Sequence, residues 1–94
     1  HCTVPATPVN CTGPETLSVR WLVEEFAARL GVKAQVSGQE AATALLSDTT
    51  LAGKLFGYPL VPLGAMLDWV ADWVRREQPA HGKPTKFEVR DGAF

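Results

Sequence analysis

An α/β chain, α+β when taken in isolation, is what the sequence predicts: a β-α-β unit followed by two further helices. Three observations predict it. A short segment, Thr7 to Cys11, has strand character and is closed by Gly13-Pro14. Val19, Leu22, Val23, Phe26, Ala27 and Leu30 then recur at helical spacing along one face. Val32 to Val36, read as Val-Lys-Ala-Gln-Val, alternates with a strand's period and is closed by Ser37-Gly38.

Each element has a local justification. Thr3 to Pro8 holds two prolines among small residues, which suits an extended connection rather than a helix. Ser18 is placed to cap the first helix, since its hydroxyl can accept from an unpaired amide of the first turn. Glu25 and Arg29 are spaced as a favourable i,i+4 pair, and Gly31 supplies the stop. A strand-helix-strand unit over about residues 7–36 normally joins parallel neighbours through a right-handed crossover. From Gly38 to Ser47 the pattern is weaker, and Ala41 to Leu46 reads as loop or as a helical turn.

Ser47 or Asp48 can cap a second helix running through Phe56, after which Gly57 ends it and Pro59 prevents its resumption. Pro62 then introduces a third helix near its start. Its apolar stripe reads Leu63, Met66, Leu67, Val70 and Val74, with Trp69 and Trp73 beside it as packing residues. Arg75 and Arg76 close that helix, where its dipole favours cations. After Pro79 the chain is polar, so residues 79–94 read as a C-terminal tail.

Composition bounds the function. Ninety-four residues allow one small domain at most. A chain of that length buries perhaps ~60–65% of its unfolded surface. Net charge is −1 and no basic block exceeds Arg75-Arg76, which argues against nucleic acid as a partner. No apolar run approaches the ~20 residues that span a bilayer, and no signal-peptide pattern opens the chain. Cys2 and Cys11 can pair in principle, but two cysteines without a dense framework read as reduced thiols. With His1 and His81 distant from them, no metal site is expected. A cytoplasmic, metal-free protein follows.

No catalytic constellation emerges. His81 has no visible partner, and Ser18 lacks a Ser-His-Asp context. The glycines never assemble into a G-x-G-x-x-G turn, and Tyr58 is followed by Pro-Leu-Val-Pro rather than by a Lys four residues on.

Three passages, in order, resemble the C-terminal part of the NAD-dependent epimerase/dehydratase family, the extended short-chain dehydrogenases. Val9-Asn10-Cys11-Thr12-Gly13-Pro14-Glu15 followed by Leu17-Ser18-Val19 is similar to that family's late strand and its turn into a helix. Ser47-Asp48 with Leu55-Phe56-Gly57-Tyr58-Pro59 is similar to its Asp-capped helix ending in Leu-Gly-aromatic-x-Pro. Leu67-Asp68-Trp69-Val70-Ala71-Asp72-Trp73 is similar to its last long helix.

The resemblance covers roughly residues 9–77. It implies that residues 1–78 are a substrate-region fragment, an expectation to which the opening His1-Cys2 without an initiator Met also led. The Rossmann cofactor half, with its Gly-rich turn and Tyr-x-x-x-Lys pair, would lie upstream. No catalytic or cofactor-binding residue is therefore expected in this chain. NAD or NADP belongs to the parent, an oxidoreductase or isomerase transferring hydride and protons at a hydroxyl-bearing carbon.

The same resemblance turns the Gly38 to Leu46 loop toward substrate, which makes Gln39, Glu40 and Thr43 the candidate substrate-facing residues. Nucleotide-sugar members often bring an Arg from this region to a pyrophosphate. Here no Arg follows Gly38 until Arg75, a departure that counts against a UDP- or dTDP-sugar. The implied partner is the cofactor-binding half of the parent. Without it, the apolar surfaces of the two strands and of the first and third helices would be bare, and self-association of the isolated chain is expected, through strand edges or by swapping an element between copies. The competing reading is a stand-alone, small, self-associating interaction domain.

Overall fold

The computed structural model describes residues 2–84. These residues hold three helices, α1 (Val19–Leu30), α2 (Thr50–Phe56) and α3 (Leu63–Arg75). The chain divides into two compact units. One takes the residues up to Thr16 together with Leu46–Leu60, and the other takes Leu17–Leu45 with the residues from Val61 onward.

The α/β expectation is corrected: among the described residues there is no strand, and the β-α-β unit is not formed. Thr7–Cys11 and Val32–Val36 are irregular, and they belong to different units. The physical reason lies in what a strand needs. Alternation prepares a segment to pair, but the main-chain hydrogen bonds must come from a neighbour, and two short segments alone are marginal. A helix satisfies its own backbone, so the three helical patterns fold where the two strand patterns do not.

In the second unit, the Ser18 hydroxyl accepts from the Trp21 amide at 3.4 Å and opens α1. Gly31, at φ 68°, closes it, and the Val32 amide reaches back to the Ala27 carbonyl at 3.0 Å. That reversal uses left-handed backbone, which glycine adopts without a Cβ clash. At the end of α3 the same reversal falls on a non-glycine residue: Glu77 has φ 52°, and the Gln78 amide donates to the Trp73 carbonyl at 3.2 Å.

Helices α1 and α3 pack on each other. Leu67 and Ala71 of α3 are the only buried hydrophobic residues among those described. The apolar stripe expected on α3 is therefore rotated from its reading in the sequence. Leu67 and Ala71 carry the contact with Leu63 half-buried, whereas Met66, Val70 and Val74 are exposed. On α1 the expected face is borne out in part: Leu22, Val23, Phe26, Ala27 and Leu30 are half-buried and Val19 is exposed.

Arg29 fastens the two helices. Its guanidinium pairs with Glu25 on its own helix and with Asp68 Oδ1 of α3 at 2.7 Å. Arg75 returns the connection, donating to the Arg29 carbonyl at 2.6 Å. Those two carboxylates, Glu25 first and Asp68 second, hold the Arg29 guanidinium above its ordinary pKa.

In the first unit, α2 is a helix of seven residues. The Asp48 carboxylate accepts from the Thr50 amide at 2.9 Å, occupying one of the unpaired donors that every helix start leaves. Gly57, at φ 81° and ψ −175°, ends the helix in a conformation almost reserved to glycine. Pro59 follows, as expected.

Candidate functional site

Beyond the Arg29 connection between α1 and α3, two places carry side-chain interactions over long sequence separations, one in each unit. In the second unit the loop expected to face substrate is exposed at Gln39, Glu40 and Thr43. Glu40 is engaged: its Oε1 accepts from Arg20 Nε at 2.8 Å and lies 2.7 Å from Arg20 Nη2. The loop is thereby tied to the first turn of α1. The sequence carries no signal for Arg20, because nothing local links positions twenty residues apart.

In the first unit, two hydrogen bonds join distant segments. Asn10 Nδ2 donates to the Asp48 carbonyl at 3.0 Å, and the Tyr58 hydroxyl donates to Glu15 Oε1 at 3.1 Å. Asn10 and Glu15 come from the Asn-Cys-Thr-Gly-Pro-Glu passage; Asp48 and Tyr58 come from the Ser-Asp and Gly-Tyr-Pro passages. Two of the three motifs singled out in the sequence are therefore held side by side, each by its polar residues. The sequence offered no signal for this pairing beyond the motifs themselves.

The electrostatics follow from those contacts. The Glu15 carboxylate accepts the hydrogen bond of the Tyr58 hydroxyl and so raises the phenol above its ordinary value, with desolvation adding to the effect. Hydrogen bonds from the Thr50 side chain and then from its amide hold the Asp48 carboxyl below the ordinary carboxylate value. None of this is poised for acid-base work near neutrality, because Tyr58 is moved away from it and Asp48 is moved further below it.

Among the described residues no group of three His, Cys, Asp or Glu could hold a metal ion. Cys2 and Cys11 are free and exposed. His81 is exposed. Among the described residues no helix is long and apolar enough to cross a membrane.

The remaining feature is the outer face of α3. Trp69 and Trp73, read in the sequence as packing residues, are 61% and 47% exposed. The Trp73 indole N–H donates to the Pro79 carbonyl at 3.3 Å, so the chain beyond α3 turns back to that ring. The rest of the face is open. Of the polar tail expected over 79–94, residues 85–94 lie outside the described residues.

Comparison of the chain with protein-family models, with curated protein sequences and with solved structures yields no match.

Proposed function

We propose that this chain is the C-terminal, substrate-side part of an NAD(P)-dependent epimerase, dehydratase or reductase, and that it is catalytically inactive by itself. The observation that carries the reading is the joining of its motifs in the first unit, through Asn10 to Asp48 and through Tyr58 to Glu15. Passages that resemble consecutive parts of one family are here used against each other, as parts of one structural device.

In this reading the parent supplies NAD or NADP, the Gly-rich phosphate turn and the Tyr-x-x-x-Lys pair, in the cytoplasm. The chain supplies Gln39, Glu40 and Thr43 on the substrate side, with Arg20 fixing the position of Glu40. The coding frame upstream of His1 in the source gene tests it. The expected result is a Gly-rich strand-turn-helix followed by Tyr-x-x-x-Lys. A long upstream frame with neither feature, or a start codon adjoining His1, overturns the reading.

A second reading, a small self-associating interaction domain, is favoured by one observation: the open apolar face of α3.

A further inference from the structure

Helix α3 is apolar over more of its circumference than α1 covers. At about 100° per residue, its apolar residues run without interruption from Trp69 through Trp73, Met66, Val70 and Val74 to Leu67 and Ala71. Only the last two are buried. Asp68, Asp72 and Arg76 occupy the opposite side, the last two as an ion pair at 2.6 Å. The open part of the arc comprises Trp69 at 61% exposure, Val74 at 53%, Met66 at 50%, Val70 at 48% and Trp73 at 47%.

We propose that a second copy of this chain covers this face. The two α3 helices pair antiparallel about a two-fold axis close to Val70, with Met66 of each copy against Trp73 of the other. The proposal deepens the second reading above and does not depend on the first. Four observations favour a second copy over an unlike partner.

The spacing from Met66 to Val70 to Trp73 is four then three, the seam spacing of one helix lying along another. The face carries no charge of its own, and its charged border holds both signs, so it selects for no oppositely charged surface. The chain's net charge of −1 lets two copies approach with little repulsion. Finally, the area suffices. Half-exposed tryptophans, of a type that buries ~150–250 Å², together with Met and Val bring the open face to roughly 500 Å² per copy. Pairing then removes about 1,000 Å² in total, the lower bound for a specific interface. An antiparallel arrangement also sets the flexible thioether of Met66 against an indole, a favourable sulfur–aromatic contact.

Sedimentation velocity on the 94-residue chain tests the proposal over roughly 1–200 μM, the range for a small interface of this kind. A monomer–dimer equilibrium within that range is expected. The double substitution Trp69→Lys, Val70→Lys should raise the dissociation constant by at least ~100-fold. Both side chains are exposed, so helix content by circular dichroism should stay unchanged. The register has its own readout: with Cys2→Ser and Cys11→Ser in place, Val70→Cys should cross-link to its own copy on mild oxidation, because a residue at a two-fold axis meets itself. Glu24→Cys, exposed on α1, should not.

A monomer throughout the range overturns the proposal, and so does association that survives the lysine pair. Cross-linking of Val70→Cys no faster than that of Glu24→Cys overturns it as well. Any of these failures leaves the coding-frame test untouched.

Discussion

Glu77 ends α3 in left-handed backbone, at φ 52°, where its Cβ crowds the neighbouring carbonyl. The hydrogen bond from the Gln78 amide to the Trp73 carbonyl holds it there. Gly31 performs the same reversal at the end of α1 without that cost. Glu77→Gly should therefore stabilise the chain by about 1 kcal/mol, read as a higher thermal midpoint; an unchanged or lower midpoint would contradict the strain. Arg29 is the second residue whose role is specific. It joins two carboxylates from different helices, with Asp68 largely exposed, so screening should weaken the α1–α3 connection. The thermal midpoint should fall as salt rises from about 0.05 to about 0.5 M, and Arg29→Gln should remove most of that dependence. Equal salt sensitivity in both proteins would assign it elsewhere.

At the scale of elements, α2 is too short to persist on propensity alone, and its ends decide whether it forms. The Asp48 carboxylate holds the Thr50 amide, and its pKa lies below the ordinary value of 3.8. A depressed carboxyl contributes stability that is present above its unfolded value and is lost as pH falls through the folded one. Helix signal at 222 nm should therefore decrease on acidification below about pH 4. Asp48→Asn keeps an acceptor and should abolish that acid limb, whereas Asp48→Ala should lower the signal at every pH. An acid limb that survives in Asp48→Asn would place the titrating group elsewhere.

The same elements show what was legible. Ser18, Gly31, Gly57 and Pro62 punctuate helices whose backbone is satisfied within the segment, and those three helices lie where their residues say. Thr7–Cys11 and Val32–Val36 speak only of a capacity to pair, and pairing depends on a neighbour that their own residues do not specify. The pairings of Arg20 with Glu40 and of Tyr58 with Glu15 were illegible for a related reason: they are fixed by tertiary placement over long separations. The α3 stripe failed differently. An apolar arc wider than one neighbour can cover leaves its buried edge undetermined until that neighbour, α1, is in place.

For the whole molecule the decisive fact is how few side chains are interior: among the described residues, Leu67 and Ala71 are the only buried hydrophobic ones. Unfolding such a chain uncovers less new surface than unfolding an ordinary domain of equal length, and the denaturant slope scales with that surface. At concentrations low enough to keep the chain monomeric, the urea m-value should fall below about 1 kcal/mol/M, the lower end for small proteins. The slope should rise with protein concentration, because pairing through α3 adds buried apolar area that unfolding must expose again. Leu67→Ala tests the same point from inside: with Ala71 as its only buried companion on α3, its loss should flatten the monomer's transition rather than merely shift it. A steep, concentration-independent transition near 2 kcal/mol/M would mean that the chain already possesses a complete core, and would remove the argument that its open surfaces await a partner.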